Sequence, residues 1–395
     1  MARNIITGID IGTYYVKVVI ASAKEKNEKG FPKILGIGMA ESHGIRHGYV
    51  TNVEDVAASI KKALKAAEEK ADTKVKKAFI GISGIGVSSI TVTNSIMTSR
   101  ADAEITALDL EKLHAQCERD IPHSSIANRR IIYAIPLQYK IDGMPALSKP
   151  EGMKGNKIEL KMLFVTCLDH HVSDLIQAVN EAGIEVEDVV AASIAAGFVT
   201  LTKAQKIAGC VLTNIGAETV SIAVFENNIP TSIEVFPIGS TDITNDIALG
   251  LKVPLEEAEQ IKIGAITGSS YPRKKLEEII AARLSDIFEL IEAHLKKIGR
   301  NGLLPAGIVI TGGGSALNSI DLMARAALRL PARIGTLGVT DSKSSFKDAS
   351  WAVAYGLCIW GIHGEDESDT IETTMTTLLR RMWRKSSEWV KQFLP

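Results

Sequence analysis

The sequence predicts an α/β protein built from two copies of one folding unit. Two stretches, GIDIGTYYVKVVIA (8–21) and LTNIGAETVSIAVF (212–225), each combine an apolar strand, a glycine turn and a second apolar strand. They lie about half a chain apart in 395 residues, and 46% hydrophobic content is enough for a large core. We therefore expect a duplicated α/β architecture in which each half presents a glycine turn to a shared cleft.

The composition argues against several classes of protein. The formal net charge is −1, so no overall positive charge favours nucleic acid, and no nucleic-acid partner is expected. The first residues lack the features of a signal peptide, and no apolar run approaches the ~18 residues that a membrane-spanning helix needs. The scattered cysteines predict reduced, buried thiols in a cytosolic protein and no metal site. They are Cys117, Cys167, Cys210 and Cys358.

The elements of the first half follow from hydrophobic periodicity. Residues 4–12 and 14–22 predict two strands paired as a hairpin, and residues 53–71 have the period of an amphipathic helix. Residues 75–84 return to a strand pattern. Between about 86 and 167 the order is strand, helix, strand, strand, which predicts a small inserted unit.

The second half repeats this alternation after a helix and strand at 172–192. The hairpin at 212–225 is followed by further helical patterns and by an apolar strand that ends in three glycines. These segments are a helix at 240–251, a segment at 254–264, a long helix at 273–299, the strand and turn GIVITGGGSAL at 307–317, and a closing helix at 349–361.

The glycine turns suggest phosphate binding. A glycine after a strand lets backbone N–H groups approach phosphate oxygens without interference from a Cβ. Asp10 beside the first turn is suited to hold Mg²⁺ through water, and Lys17 to add a positive charge. The Rossmann pattern G-x-G-x-x-G and the P-loop pattern GxxxxGK[ST] are both absent, so neither of those nucleotide sites is expected.

In this order the motifs resemble the actin-like ATPases and, within them, the FtsA family of bacterial cell-division proteins, over essentially the whole chain. SHGIRHGYV (42–50) and TDITNDIALGL (241–251) also resemble segments of that family. The resemblance implies an actin-like (ribonuclease H-like) duplicated two-domain ATPase fold with an inserted 1C subdomain and a C-terminal amphipathic helix. The implied parts are 1–85 (subdomain 1A, first part), 86–167 (1C), 168–204 (1A, second part), 205–241 (2A, first part), 242–301 (2B), 302–338 (2A, second part), 339–363 (1A, closing helix), 364–373 (acidic linker) and 374–395 (amphipathic helix).

The resemblance also implies ATP and Mg²⁺ as ligands and places residues around them. Phosphate loop 1 supplies Asp10, Gly12, Thr13, Tyr14 and Lys17, with Asp10 at the metal; phosphate loop 2 supplies Asn214, Gly216, Ala217, Glu218 and Thr219; Gly239 follows it; Glu259 and Lys262 lie on the ribose or base side; and Gly312, Gly313 and Gly314 form the adenosine loop.

One departure from the family pattern bears on hydrolysis. The second loop of this superfamily commonly carries Asp where this chain has Asn214, which keeps a hydrogen-bonding carbonyl but loses the charge. The segment AASIAAGFV (191–199) offers no carboxylate to orient water, only Ser193. Phosphoryl transfer needs positioning and charge neutralisation. We therefore expect nucleotide binding with at most slow hydrolysis and no confident catalytic residue, with ATP acting on conformation and polymerisation.

The end of the chain has the pattern of an interfacial membrane helix. On a helical wheel its apolar residues fall within an arc of roughly 160°, and its basic residues lie opposite. The apolar set is Met375, Leu378, Leu379, Met382, Trp383, Trp389, Val390, Phe393 and Leu394, and the basic set includes Arg380, Arg381, Arg384 and Lys385. We expect this segment to bind an anionic membrane surface and to become helical there, because so short a helix is marginal in water. The alternative is an amphipathic helix docked on the protein body or on a partner.

The resemblance further implies partners. In the FtsA family, subdomain 2B receives the acidic C-terminal tail of the tubulin homologue FtsZ, and Lys275 and Arg283 match positions at that site. The alternative is a solvated face paired with Glu277, Glu278 and Asp286. Head-to-tail filaments of the chain itself, contacts of 1C with later division proteins, and a peripheral place on the inner face of the cell membrane at the division septum are also implied.

Two alternative functions share parts of this pattern. A PilM-like pilus-assembly adaptor has the 1C arrangement but not the basic tail, and an actin-fold ATPase or kinase enzyme is opposed by Asn214. A metal site at His43 and His47 is not expected either. Their spacing is H-x₃-H, but the neighbouring glycines predict solvated loop histidines rather than metal ligands.

Overall fold

The computed structural model describes residues 5–27, 30–265, 271–337 and 348–363. The chain separates into two compact units. Unit 1 comprises the described residues up to Val87 and from His171 onward, and unit 2 comprises Ser88–His170. The predicted acidic linker (364–373) and amphipathic helix (374–395) lie outside the described residues. The subdomain boundaries inferred from the sequence stay predictions.

Strands and helices alternate along the described chain. The strands are β1 (Ile5–Ile11), β2 (Tyr15–Lys26), β3 (Pro32–Glu41), β4 (Ile45–Arg46), β5 (Tyr49–Val50), β6 (Lys77–Ile82), β7 (Ser88–Met97), β8 (Arg129–Ile141), β9 (Met144–Ala146), β10 (Lys157–Leu168), β11 (Glu185–Ala191), β12 (Cys210–Ile215), β13 (Val220–Glu226), β14 (Ile229–Phe236), β15 (Ile308–Thr311) and β16 (Ala332–Ile334). The helices are α1 (Val53–Ala71), α2 (Ala107–Arg119), α3 (His123–Ile126), α4 (Asp169–Glu181), α5 (Ala192–Thr200), α6 (Lys203–Ala208), α7 (Ser240–Leu251), α8 (Leu255–Lys262), α9 (Arg273–Lys297), α10 (Ile320–Leu328) and α11 (Ala352–His363). Two short 3-10 turns cover Gly313–Ala316 and Ala349–Trp351.

Unit 1 contains the same five-stranded arrangement twice. The first sheet has the order β11-β6-β1-β2-β3, and the strands of the second half follow the order β16-β15-β12-β13-β14. In the first sheet β1 pairs antiparallel with β2 and parallel with β6. In the second, β12 pairs in the same way with β13 and β15. Asp10 stands opposite Lys17 in the first hairpin, and Asn214 stands opposite Ser221 in the second. The duplication predicted from the sequence repeat is confirmed.

Two largely buried helices, α5 and α11, meet in unit 1. Helix α5 follows the last strand of the first sheet, α11 follows β16, and the two pack against each other. A Cβ on Gly356 would lie 1.9 Å from the Ala195 carbonyl oxygen, so the two backbones approach as closely as they can. The buried Trp360 indole donates a hydrogen bond to Asp188 Oδ2 at 2.8 Å, which ties α11 to β11. These contacts fix α11, which comes from the end of the described chain, to the first sheet.

Unit 2 is a small antiparallel sheet in the order β7-β10-β8-β9, with α2 packed on one face. Helix α2 begins with a capping box in which Thr106 and Asp109 bond each other's backbone N–H groups. Its buried Leu110 and Leu113 pack against Leu160 and other residues of β10. The predicted order of strand, helix, strand, strand is therefore confirmed, with the short β9 and α3 as additions.

The prediction of buried thiols that form no disulfide is also borne out. All four cysteines are buried and none forms a disulfide. Among the helices of the described ranges, we find none with the length and apolar character needed to cross a bilayer.

Candidate functional site

The two hairpins of unit 1 close with the same backbone geometry. We call residues 12–15 turn 1 and residues 216–219 turn 2. The Gly12 N–H donates to the Tyr15 carbonyl oxygen at 3.2 Å, and the Gly216 N–H donates to the Thr219 carbonyl oxygen at 2.8 Å. A Cβ on either glycine would lie about as close to the same carbonyl oxygen, at 2.9 Å in turn 1 and 3.0 Å in turn 2. Both turns are therefore tight around glycine, and both leave a bare backbone surface.

The side chains beside the two turns differ in charge. Burial raises the pKa of Asp10 to about 6, and the opposing Lys17 lowers that pKa in part. Burial also lowers the pKa of Lys17, while Asp10 and Asp348 raise it. Beside turn 2 the corresponding pair, Asn214 and Ser221, is neutral. The Ser221 hydroxyl is buried and has no hydrogen-bond partner within the described part of the chain.

A segment before α11 joins the two halves next to turn 1. Lys17 Nζ donates to the Ser350 carbonyl oxygen at 2.8 Å and lies 5.7 Å from the centre of the Trp351 ring. Thr311, at the end of β15, donates through its hydroxyl to the Ala349 carbonyl oxygen at 2.9 Å. Two consecutive carbonyls thus hold a lysine of the first half and a threonine of the second. Backbone acceptors carry no sequence signal, and sequence reasoning missed this contact.

The three glycines after β15 have different surroundings. Gly312 has φ +87°, and a Cβ there would lie 2.3 Å from Asn214 Oδ1 and 2.5 Å from the Ile215 carbonyl oxygen. A Cβ on Gly314 would lie 2.4 Å from Ile215 Cγ2. Gly313 is exposed and has no such neighbour within 4 Å. The outer glycines therefore let this loop pack on β12, and the middle one presents bare backbone.

Helix α7 is bonded to turn 2. The Ser240 and Thr241 N–H groups at the start of α7 donate to the Gly216 and Ala217 carbonyl oxygens at 2.9 and 2.8 Å. A Cβ on Gly239 would lie 2.2 Å from the Ala217 carbonyl oxygen. These contacts fix the start of α7 against the turn.

Helix α8 contributes a buried charge to this region. Lys262, whose side chain is 7% exposed, pairs with Glu259 at 2.7 Å and donates to the Ser240 carbonyl oxygen at 3.0 Å. Burial, Tyr15 and the carboxylates of Glu259 and Glu41 all raise the pKa of the half-exposed Tyr14. Tyr14 of turn 1 is therefore within electrostatic reach of α8 in the other half.

These contacts link the sequence-predicted nucleotide residues into one connected group in unit 1. Turn 1 reaches α8 through Tyr14 and reaches the segment before α11 through Lys17. Turn 2 reaches the glycine loop through Asn214 and α7 through its carbonyls. The buried Ser193 of α5 is 1% exposed. The roles of these residues toward a ligand stay predictions.

The basic residues predicted for a partner have different environments. Lys275 is exposed in the first turns of α9. The Arg283 guanidinium donates to both oxygens of Asp246 at 2.7 and 3.0 Å and lies 3.2 Å from Asp286. An ion pair of Arg283 with Asp286 is present, in line with the alternative of a paired, solvated face, and Asp246 is an additional partner that the sequence did not indicate. All residues predicted to contact the membrane lie outside the described residues.

The histidine interpretation needs one correction. His43 is exposed, as predicted for a solvated loop. His47 is half-buried, and its backbone N–H donates to Glu218 Oε2 at 2.6 Å across the two halves of unit 1. No group of three or more His, Cys, Asp or Glu side chains suited to a metal occurs in the ranges that the structure describes.

Comparisons with known proteins agree with this architecture. The profile of cell division protein FtsA matches residues 211–356, and the profile of the SHS2 domain inserted in FtsA matches residues 86–166. Cell division protein FtsA of Pseudomonas aeruginosa is 30% identical over 390 residues, covering 92% of this chain and 91% of that protein. The FtsA of Escherichia coli K12 is 25% identical, covering 99% and 98%.

Solved structures show the same fold at low identity. The PilM–PilN type IV pilus biogenesis complex gives a TM-score of 0.67 at 18% identity, covering 90% of this chain and 98% of that one. MreB5 of Spiroplasma citri bound to ADP gives 0.50 at 13% identity, covering 90% and 96%. The chain thus has an actin-like duplicated α/β fold with an inserted SHS2 domain. It belongs to the FtsA family of cell division proteins.

Proposed function

We propose that this chain binds ATP between the halves of unit 1, forms head-to-tail filaments, and tethers FtsZ filaments to the inner face of the cell membrane at the division site. The observation that carries the nucleotide part is the matched pair of glycine turns, with one buried lysine beside them. The membrane and FtsZ parts rest on family membership, on the sequence of residues 374–395 and on the basic start of α9.

The nucleotide proposal is supported by the fit of the residues present to a phosphate chain. Gly12 and Gly312 leave backbone in positions where a Cβ would collide, and a Cβ on Gly216 would make a tight contact. Lys17 supplies the positive charge, and the Ser221 hydroxyl, which has no hydrogen-bond partner among the described residues, is a donor available to an anion. In this proposal the exposed Gly313 and the Glu259–Lys262 pair on α8 meet the nucleoside. ADP in the similarly folded MreB5 is consistent with this assignment but comes from a protein only 13% identical.

A magnesium ion fits this site only as a partner of the phosphates. Asp10 is the one carboxylate beside the turns that the proposal uses, and described residues offer no ready-made cluster of ligands. Mg²⁺ retains several waters and is commonly bound through one or two carboxylates plus phosphate oxygens. Bound Mg²⁺ would neutralise phosphate charge, and Asp10 would hold it through water. A cation there favours the ionised carboxylate, against the burial that raises the pKa of Asp10.

Hydrolysis in this site is proposed to be slow. In the second hairpin the position equivalent to Asp10 is occupied by the neutral Asn214. The buried Ser193 is a poor acceptor for a proton from water. Phosphoryl transfer depends on placing water in line and on neutralising charge. We expect turnover well below the ~1 s⁻¹ lower bound typical of kinases, measured as phosphate release under saturating Mg·ATP. A rate within the kinase range would favour the enzyme alternative.

Membrane attachment is tested with the C-terminal segment. Interfacial helices combine an aromatic apolar face with basic residues, and each basic residue near an anionic surface contributes about 1 kcal/mol. The full chain should sediment with vesicles containing an anionic lipid, and a chain lacking 375–395 should stay in solution. A Trp383→Glu variant, which keeps the length and the basic residues, should also be released. Unchanged sedimentation of the shortened chain contradicts the anchor.

FtsZ docking is tested at the start of α9. Lys275 is exposed, whereas Arg283 already bonds Asp246, so Lys275→Glu changes surface charge without breaking a fold contact. Binding of the acidic FtsZ tail peptide should weaken severalfold in this variant. Lys61→Glu, at an exposed lysine on α1, is the charge-matched control and should bind as the wild type does. Equal weakening by both variants would mean that only overall charge matters.

In this proposal filament formation strengthens the binding of the C-terminal segments to the membrane. One short amphipathic helix binds membranes weakly, but a filament presents many tails at once and raises the effective concentration of each. In this proposal unit 2 contacts neighbouring subunits or later division proteins. Nucleotide-dependent pelleting of the full chain, followed by electron microscopy, tests the polymer.

A further inference from the structure

A two-residue hairpin turn in the first half contacts turn 2 in the second half. Strands β4 and β5 form a small antiparallel hairpin in which Arg46 pairs with Tyr49. The two residues between them, His47 and Gly48, have φ of 48° and 79°, as a type I′ turn requires. This backbone aims the His47 N–H at Glu218 Oε2, 2.6 Å away, and His47 Nδ1 lies 3.3 Å from the Glu218 carbonyl oxygen. We call residues 45–50 the coupling hairpin.

The coupling hairpin also contacts the segment through which the chain leaves unit 1. The His47 carbonyl oxygen accepts a hydrogen bond from the Ile85 N–H at 3.4 Å. A Cβ on Gly48 would lie 2.4 Å from the Gly84 Cα, so the two backbones touch. The chain leaves unit 1 after Val87, two residues beyond Ile85.

The coupling hairpin also contacts the segment in which the chain re-enters unit 1 from unit 2. The Tyr49 ring packs edge-on against the ring of the buried His171, with centroids 4.9 Å apart. His171 is the first residue of unit 1 after the insertion. A Cβ on Gly84 would in turn lie 2.6 Å from His171 Nε2, so the departing and returning segments are packed on each other as well. The hairpin thus has turn 2 on one side and both chain crossings on the other.

We propose that the coupling hairpin transmits the state of the nucleotide cleft from Glu218 to the two segments through which the chain leaves and rejoins unit 1. The inference rests on the proposed binding of ATP beside turn 2. A phosphate chain repels a carboxylate in the same turn, so a triphosphate biases Glu218 to a different position from an empty cleft. Because Gly48, Gly84 and His171 are in close contact, a shift of the hairpin cannot be absorbed there and must move or loosen the crossings.

The test is hydrogen exchange in the full chain with and without Mg·ATP, alongside calorimetric titration of ATP. The Ile85 amide is the reporter, because its acceptor is the His47 carbonyl oxygen. Saturating ATP should change exchange in peptides covering 83–87 and 169–175 by at least about fivefold, the lower end of the usual range of coupling between sites. The calorimetry reports the proposed function separately. Binding of ATP without a change at Ile85 overturns this inference alone, and absence of ATP binding overturns both.

Two variants separate coupling from a passive contact. Tyr49→Ala removes the ring against His171, and we expect it to bind ATP with affinity within about threefold of the wild type while the exchange response of 169–175 is lost. Gly48→Ala separates the hairpin from Gly84 and should abolish the response of 83–87. Its matched control is Gly183→Ala, which also places a Cβ at a positive φ, of 88°, but meets no atom within 4 Å. A full response in folded Tyr49→Ala, or equal effects of Gly48→Ala and Gly183→Ala, overturns the proposal.

Discussion

Turn 1 and turn 2 have nearly the same backbone but different neighbours. Each closes through a glycine N–H bonded three residues ahead, and each follows a strand in the middle of a sheet with the same strand order. Turn 1 is flanked by the charged pair Asp10 and Lys17, whereas turn 2 is flanked by Asn214 and Ser221. Duplication has kept the shape that allows a phosphate to approach, but the strand pair that flanks the turn is charged only beside turn 1.

Turn 2 is connected to three other parts of unit 1. Turn 2 accepts the first N–H groups of α7 and contacts His47 through Glu218, and Asn214 beside it meets the loop at Gly312. Turn 1 is linked through Lys17 to the segment before α11. We infer that the two turns have different roles. Turn 1 provides the electrostatic attraction for a nucleotide, and turn 2 connects the ligand to α7, the coupling hairpin and the glycine loop.

The largest effect is expected from distorting the contact between turn 2 and the glycine loop. Gly312→Ala places a Cβ 2.3 Å from Asn214 Oδ1 at a φ of +87°, so the strand end or the loop must shift. We expect ATP binding to be lost and the free energy of unfolding to fall by about 1–3 kcal/mol. Titration calorimetry and thermal melting measure the two effects.

The control for this variant lies one residue away. Gly313→Ala meets no atom within 4 Å and has no positive φ, so it should melt with the wild type. Loss of binding in Gly313→Ala as well would locate the sensitivity in the exposed backbone surface rather than in the packing of the loop on β12.

Removing the charge beside turn 1 should have the next largest effect. Lys17→Met keeps the length of the side chain but loses the ammonium, and charge-assisted hydrogen bonds contribute about 1.5–3 kcal/mol. ATP affinity should therefore fall by about 10- to 150-fold. Ser221→Ala is the corresponding change beside turn 2 and should cost much less, because that hydroxyl has no charge. Equal losses of affinity in the two variants would contradict the proposed asymmetry.

Restoring a charge beside turn 2 should change the dependence of binding on magnesium. In Asn214→Asp a second carboxylate faces the phosphates, so ATP affinity without Mg²⁺ should fall by about tenfold, equivalent to about 1.4 kcal/mol. Added Mg²⁺ should recover most of the loss, since a cation between carboxylate and phosphate removes the repulsion. Calorimetry with EDTA and with Mg²⁺ makes the comparison. A variant indifferent to Mg²⁺ would place residue 214 away from the phosphates.

The smallest effect concerns a buried histidine in the helix that covers the second sheet. His294 of α9 is bonded to the Ser232 hydroxyl at 2.8 Å, whereas α1 on the first sheet contains no histidine. Burial, with a smaller effect of Lys297, lowers the pKa of His294 from 6.5 to about 4. In the unfolded chain His294 is protonated below pH 6.5, whereas in the folded chain it is protonated only below about pH 4. The folded state therefore loses stability as the pH falls from 6.5 to 4.

Chemical denaturation between pH 7 and pH 5 measures this contribution, which is at most about 1.4 kcal/mol per pH unit for one proton. His294→Gln keeps a polar side chain for Ser232 and does not titrate. Its stability should fall less steeply with acidification than that of the wild type. An identical slope in both proteins would assign the pH dependence to other groups.

Local features of the site could be predicted from the sequence, and contacts between distant segments could not. The hairpins, Asp10, Lys17 and the three glycines follow from short motifs, because a glycine turn and its flanking strands are encoded within a few residues. The bonds of Lys17 to Ser350 and of Thr311 to Ala349 end on backbone carbonyls, which every residue type possesses. Only the folded chain brings those carbonyls to the site.

His47 shows the same limit from another direction. Its neighbours correctly predicted a loop, and solvent exposure was the natural expectation for a polar residue there. The contact with Glu218 arises from its backbone N–H in a left-handed conformation, 171 positions away in the chain. The type I′ turn that sets this conformation has Gly48 as its only sequence signal.

We propose that ATP binds between the halves of unit 1, with its base near α8 and the glycine loop. Photolabelling of the full chain with azido-ATP, followed by peptide mapping, tests it most directly. We expect label in peptides containing 255–262 or 312–317, and we expect it to disappear when unlabelled ATP is in excess. Label confined to unit 2, or label that excess ATP does not displace, would contradict the claim.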